Sequence, residues 1–313
     1  MGALCKCPLI EEGALVSAEE TRHRPDVPVS MTRFDEVYSR PDPRSYFAAL
    51  GPLEYRTPHH AQGVFRRLLP LAGASEGGGH PADRASRAVV LDICCSYGIN
   101  AALLNHQVTW EELHERYTSP AVARMTTGEL IASDRRYYAA RRREDAVPVV
   151  GLDIAAPAIA YAHAVGLLAA GFAENLETGA PSQALYRATR EVRLITVTGG
   201  VSFLSARTFE PLLTGRSEPP WVAAFVLRTG SYRAIAEGLD RFGLTTQEYT
   251  RRTYPQRRFT DADEQRAAVD AVYAAGHDPR GKETDGHFHT ALHLTRPAAH
   301  SASHPLHALL HDG

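Results

Sequence analysis

The sequence predicts an α/β protein built on an open, largely parallel sheet. Short apolar runs, "AVVLDI", "VPVVGLDIA", "RLITVT" and "WVAAFVLR", recur with longer amphipathic stretches between them. The runs are continuous rather than alternating, as in strands covered on both faces by helix layers. Two of them close on an acid, Asp92 and Asp153, followed by small residues and a helical pattern. Ligands of open parallel sheets bind beyond such strand ends.

Composition narrows the class. At 313 residues the chain can hold one large domain with extensions, or two modest ones. An apolar content of 44% and a charged content of 22% are ordinary for a globular protein. The formal net charge of −2 gives no reason to expect nucleic acid as a partner. No apolar run reaches the roughly 18–20 residues of a membrane span. The opening "MGALCKCPLIEEGALVSAEE" lacks an apolar core followed by a cleavage site, so secretion is not expected. Cys5 and Cys7 sit near one end, and Cys94 and Cys95 are adjacent. Neighbouring cysteines rarely bridge, and no zinc-type pair of pairs exists. A cytoplasmic protein is expected.

In chain order, residues 1–30 read as a flexible lead-in, with prolines in "RHRPDVPVS". Residues 31–72 have helical spacing and form an expected N-terminal helical cap. Val64, Phe65, Leu68 and Leu69 mark one face of a helix starting near Pro58. "GASEGGGHPADRAS", 73–86, is a linker by composition. The main domain is expected over 87–297. It opens with the strand "AVVLDI" and the helix "GINAALLNH". An insertion, 107–146, is too long for an ordinary helix-to-strand connection. It has helical patterns, a capping box at Thr109 and Glu112, and five arginines (135, 136, 141, 142, 143) that read as a solvated face or an anion-binding surface.

The strand "VPVVGLDIA" follows, then the helix "PAIAYAHAVGLLAAG", a short third strand in "FAENLE", and a helix capped near Ser182. "RLITVT" and "WVAAFVLR" are further strands, the latter followed by a helix that stops at Gly243. "TTQEYTRRTY" and "HFHTALHLTR" look like a closing strand pair around the helix "DADEQRAAVDAVYAAG". Residues 298–313 read as a flexible, histidine-rich tail. His287 and His289 share one strand face, without a third metal ligand in view, and no metal is expected.

The strand ends suit an adenosine-containing ligand. A tight loop after the first strand aims amide groups at it. A carboxylate past the second strand can accept two ribose hydroxyl hydrogen bonds. A polar group past the third can meet the adenine amine. "VVLDICCSYGINAALL" together with "VVGLDIAAPAIAYA" resembles the class I S-adenosylmethionine-dependent methyltransferases, over about residues 88–296. The resemblance implies a Rossmann-like, seven-stranded methyltransferase fold with S-adenosyl-L-methionine as cofactor. The family loop reads acid, any, Gly, any, Gly, any, Gly. Asp92 matches the acid and Gly98 the last glycine, while Cys94 and Ser96 replace the first two. This is a glycine-poor variant, and it lacks the glycines of a nicotinamide-dinucleotide fingerprint.

Carried across residue by residue, the resemblance assigns Asp92, Cys94, Cys95, Ser96, Tyr97, Gly98 and Asn100 to the methionine part of the cofactor. Asp153 and Ile154 go to the ribose and its neighbourhood, Glu174 or Asn175 to the adenine edge, and Thr198 and Gly199 to a place beside the sulfonium. Thr198-Gly199-Gly200 leaves room there without specifying an acceptor. The Asn/Asp-Pro-Pro-aromatic motif of amino-group methylation is absent. Tyr38, Tyr46, Tyr55, His59 and His60 are candidate cover residues. Tyr55 could hold a cation and His59 could remove a proton. Cys94 and Cys95 could instead form a redox or nucleophilic pair.

The expected function is methyl transfer to a small molecule. Two alternatives stand beside it: a cofactor-consuming cyclase that releases methylthioadenosine, resembling the azetidine-2-carboxylate synthases, and a catalytically silent partner subunit. A homodimer or an assembly with an active enzyme is an expected form. The Ala-, Arg- and His-rich idiom suggests a high-GC bacterium and specialised metabolism.

Overall fold

The computed structural model describes residues 32, 34–72 and 88–310. The expectations for the lead-in, for Cys5 and Cys7, and for the linker lie outside those residues. The chain opens with helices α1 (Asp35–Tyr38), α2 (Arg44–Leu50) and α3 (Thr57–Ala72). Strand β1 (Val89–Ile93) and helix α4 (Ile99–Asn105) lead into the insertion, α5 (Trp110–Thr118), α6 (Pro120–Ala123) and α7 (Thr127–Ala139). Then come β2 (Val149–Asp153), α8 (Ala156–Ala164), β3 (Ala170–Ala173), α9 (Gln183–Ala188), β4 (Val192–Val197), α10 (Ala206–Leu213), β5 (Trp221–Leu227) and α11 (Arg233–Asp240). The chain closes with β6 (Leu244–Glu248), β7 (Tyr254–Arg258), α12 (Ala262–Ala274), β8 (His287–Pro297), α13 (Ala298–Ser303) and α14 (Leu306–Leu309).

The strands form one sheet in the order β3-β2-β1-β4-β5-β8-β6, with β7 also on β8. Pairing is parallel from β3 to β5, and β8 runs antiparallel to β5. Strand order reverses at β1, which lies between β2 and β4. Successive strand residues feed opposite cores. Val90, Val149, Leu194 and Phe225 face α3, α4, α8 and the insertion. Leu91, Val150, Ile195 and Val226 face α9, α10 and α11. This is a Rossmann-like architecture with an antiparallel edge. No helix among the described residues is long and apolar enough to cross a membrane.

Four local expectations change. Among the described residues eight strands replace the expected seven, because "TTQEYTRRTY" breaks at a turn into β6 and β7, which lie end to end along the long strand β8. The third strand is Ala170–Ala173 rather than "FAENLE": Gly166, at φ +84°, ends the preceding helix early and frees the chain to extend. Helix α3 is a layer helix, since it buries Val64, Phe65, Leu68 and Leu69 in the first core. The tail expected to be flexible forms α13 and α14 up to Leu309, with Leu306 and Leu310 buried.

The insertion is closed at its base, where Gln107 N–H donates to the Arg141 carbonyl at 2.7 Å and Arg143 N–H to that of Asn105 at 2.8 Å. Thr109 and Glu112 form a complete capping box, and Thr126 and Glu129 form a second. A buried polar knot fastens the helices to α8. Asp134 accepts from Arg116 Nε at 2.8 Å, from Tyr117 Oη at 2.9 Å, and from the hydroxyl of Tyr161. Arg135, Arg136 and Arg142 are exposed, while Arg141 lies over the Tyr137 ring at 4.0 Å. Replacing Asp134 would strand a guanidinium and two hydroxyls. Asp134→Ala is therefore expected to lower the unfolding free energy by about 3–5 kcal/mol in a urea titration.

Candidate functional site

The loop after β1 has an unusual backbone. Among the described residues, three non-glycine residues have left-handed φ: Glu54 (+53°), Cys94 (+57°) and Ser96 (+50°). With Gly98 at +76°, every second residue from 94 to 98 is left-handed. These are the positions that the resemblance gives to glycine. The glycine geometry persists although two positions carry a Cβ, at a cost of about 1–2 kcal/mol each.

Polar contacts hold this shape. Ser96 N–H donates to Asp153 Oδ2 at 2.8 Å, tying the loop to the end of β2. Ala155 N–H donates to Asp153 Oδ1 at 2.9 Å. At the end of β1, Asp92 Oδ1 accepts from Thr196 Oγ1 at 2.7 Å and from Asn100 Nδ2 at 2.9 Å. Asn100 Nδ2 also donates to Thr198 Oγ1 at 2.9 Å. Tyr97 Oη donates to the carbonyls of Val37 and Arg40, anchoring the N-terminal segment to the loop. The Cys95 sulfur packs over Gly151, where an added Cβ would lie 2.8 Å from it.

Among the described residues, three buried atoms around this loop lack partners: Asp92 Oδ2, Asn100 Oδ1 and Ser96 Oγ. Once Asp92 is ionised its Oδ2 accepts, as Asn100 Oδ1 does, and Ser96 Oγ can accept, so together they suit a cationic donor such as an ammonium, whose charge favours the ionised carboxylate. Burial raises the Asp92 carboxyl to a pKa of about 7, against the hydrogen bonds from Thr196 and Asn100 that lower it. Burial also drives the thiols of Cys94 and Cys95 upward, so both stay protonated at neutral pH. Protonated thiols are poor nucleophiles.

The room expected beside Gly199 and Gly200 is taken. An added Cβ on Gly199 would lie 2.5 Å from Tyr55 Oη, and one on Gly200 would lie 2.3 Å from Cys94 Sγ. Tyr55 reaches this place on a strap, residues 53–56, laid along β7. Arg56 N–H donates to the Gln256 carbonyl at 2.7 Å, and Arg258 N–H to that of Leu53 at 2.6 Å. Arg258 also pairs with the strained Glu54 at 2.9 Å. Burial raises the Tyr55 hydroxyl, which remains a donor at neutral pH.

The other candidates fall elsewhere. Tyr46 is enclosed by the rings of Tyr38, Phe47, Tyr55, Tyr97 and Trp110. The ring of His59 packs on His60, 5.3 Å between centroids. Burial lowers His60 to a pKa of about 4. Glu174 accepts from Ser182 Oγ at 2.6 Å and thereby supports the start of α9. Asn175 Oδ1 accepts from Glu177 N–H at 3.0 Å in a local turn. Ile154, by contrast, is 69% exposed beside Asp153. His289 Nδ1 lies 3.0 Å from Thr253 Oγ1, and His287 Nε2 3.4 Å from Glu54. Among the described residues no cluster of three or more His, Cys, Asp or Glu could hold a metal ion. Gln256 carried no motif to mark it; only its place in β7 brings it near Gly199.

The chain matches no protein-family model and no curated protein. Several solved structures align with it loosely. A TehB-like SAM-dependent methyltransferase from Corynebacterium glutamicum is 15% identical at a TM-score of 0.33, covering 77% of this chain and 98% of that one. The plantazolicin methyltransferase BpumL, in complex with a triazolic desmethylPZN analog and SAH, is 10% identical at a TM-score of 0.35, over 77% and 85%. A SAM-dependent methyltransferase from Thiobacillus denitrificans, in complex with S-adenosyl-L-homocysteine, is 11% identical at 0.30, over 74% and 91%. Likenesses this loose add nothing to what the strand order establishes.

Two outcomes are expected of this geometry. Asp92 keeps its proton to about pH 7 when folded but only to about pH 4 when unfolded. That proton favours the folded state fully below about pH 4, and the advantage is lost as pH rises to about 7. Urea titrations should show this fall, and Asp92→Asn should remove it. Ser96→Gly relieves a left-handed Cβ and removes an unpartnered hydroxyl. It is expected to stabilise the fold by about 1 kcal/mol in the same assay.

Proposed function

We propose that this protein is an S-adenosylmethionine-dependent transferase that methylates a small molecule. The observation behind the reading is the loop from Asp92 to Gly98. It keeps three alternate left-handed residues, two at the expense of strain, and leaves three buried polar atoms unpartnered around it. Strain of this kind gathers at functional sites.

The residues fit such a cofactor in donor chemistry. Asp92, Asn100 and Ser96 would hold its ammonium end. Asp153 would hold the ribose, because each carboxylate oxygen accepts one backbone N–H and retains a further lone pair. Exposed Ile154 would cover the adenine face. When bound, the cofactor supplies a sulfonium methyl group open to in-line displacement, a reaction in which positioning provides much of the rate. Thr198, fixed by Asn100, sets the course of the turn that carries Gly199 and Gly200. The Tyr55 hydroxyl and the Cys94 thiol, seated on those glycines, have to withdraw for the cofactor to enter. Tyr55 then acts as a neutral donor at the edge of the site. His59 is assigned no step.

One observation favours the catalytically silent reading: the same seating of Tyr55 and Cys94 on Gly199 and Gly200. Calorimetry with S-adenosylmethionine separates the two. Micromolar binding is expected, and a millimolar or undetectable affinity would favour the silent scaffold. Asp153→Ala is expected to weaken that affinity by about 1.5–3 kcal/mol, and an unchanged dissociation constant would remove Asp153 from the ribose. Mass spectrometry of the turned-over cofactor identifies the chemistry. S-adenosylhomocysteine indicates methyl transfer, and methylthioadenosine the cyclase alternative.

A further inference from the structure

Beyond Gly199 lies a partly open pocket of about 40 Å³. It is lined by Gly199 and Ser202 after β4, Phe225 and Leu227 at the end of β5, Ser231, and Gln256 of β7. Two properties define what it can hold. None of the described residues lining it is charged, so neither a carboxylate nor an ammonium finds a counter-ion among them, and burying an unpaired charge is costly. Gln256 is only 4% exposed, and among the described residues its Oε1 has no hydrogen-bond partner. A buried acceptor without a donor is an incomplete pair.

We propose that this cavity is a subsite for the reacting end of the acceptor substrate, a small neutral group carrying an N–H or O–H, and that Gln256 Oε1 accepts its hydrogen bond. The space admits about two or three heavy atoms, so the body of the substrate stays outside. Ser202 and Ser231 line the rim, where Ser231 Oγ accepts from Arg233 N–H at 3.2 Å, and Phe225 and Leu227 supply an apolar wall. The side of the cavity at Gly199 meets the Tyr55 hydroxyl, so the subsite adjoins the proposed cofactor position. Neutral amides and alcohols belong to the class it takes; carboxylic acids and aliphatic ammonium groups do not. The assignment as an acceptor subsite rests on the transferase reading, whereas the cavity and its chemistry do not.

The test is a nuclear magnetic resonance titration of the full chain with formamide, formate and methylammonium, which are close in size and differ in charge. It is run with and without saturating S-adenosylhomocysteine and followed at the Gln256 side-chain amide in the wild type and at the backbone amides of Gly199 and Ser231 in every variant. Formamide is expected to bind with the lowest dissociation constant of the three. Gln256→Leu is expected to weaken it roughly fivefold or more, with the affinity for S-adenosylhomocysteine unchanged. Gln256→Glu should reverse the order in favour of methylammonium. Formate or methylammonium binding the wild type as tightly as formamide would overturn the inference, as would a Gln256→Leu affinity equal to wild type, or no binding of formamide. If S-adenosylhomocysteine fails to bind while formamide still does, the cofactor reading falls and the polar subsite stands.

Discussion

The arrangement at the mouth of the sheet depends on one constraint, the left-handed backbone of the turn after β1. Cys94, Ser96 and Gly98 alternate with Cys95 and Tyr97. The alternation sends Tyr97 up to the carbonyls of Val37 and Arg40 and Cys95 down over Gly151. It also points Ser96 N–H at Asp153 and places the Cys94 sulfur on Gly200. One conformational choice therefore fixes contacts to β2, to the turn after β4 and to the N-terminal segment. An extended turn could make none of these together. The strain is sustained because several independent contacts over-determine the loop.

The opposite wall is built differently. Strand β7 begins level with the end of β5, since Tyr254 and Leu227 both pair with Thr290, and continues past it to Arg258. It thus rises above the sheet and offers a free edge to residues 53–56. Buried ion pairs hold that wall. Arg257 binds Glu264 at 2.7 Å with both side chains 2% exposed, and Arg228 binds Glu283 at 2.6 Å. Such pairs are costly to bury and more costly to break, which makes the wall a rigid support. The strap that carries Tyr55 is attached to this wall by two backbone hydrogen bonds and the exposed Glu54–Arg258 pair. Surface pairs contribute little, so the strap is held chiefly by its backbone bonds to β7 and by the packing of the Tyr55 ring on Tyr46 and Trp110.

The insertion closes a third side through packing. Phe47 of α2 stacks on Tyr117 of α5 at 4.9 Å, and Tyr117 shares Asp134 with Tyr161 of α8. The aromatic cluster around Tyr46 continues from there to Tyr55 and Tyr97. A displacement of Tyr55 would therefore be felt by Tyr46 and Trp110, which are in ring contact with it. The helical cover and the loop after β1 belong to one packed body.

The sequence by itself determined the elements whose signals are local. Continuous apolar runs marked the buried strands, because a strand covered on both faces has no solvent side to encode. Thr109 with Glu112, Ser182 and Gly243 marked helix ends, because caps act within a few residues. The acids Asp92 and Asp153 and the altered loop between β1 and α4 were legible for the same reason. What only the tertiary structure decided depends on groups far apart in the chain. The split of β6 from β7 required the long edge of β8. The place of Tyr55 required the strap to find β7, some two hundred positions later in the chain. Glu174 became a support for α9 because Ser182 lies within 2.6 Å. Gln256 had no motif at all, and became notable only once packing buried its oxygen without a donor. Pattern specifies how a segment folds, whereas which segments share a cavity is set by long-range packing that no local window contains.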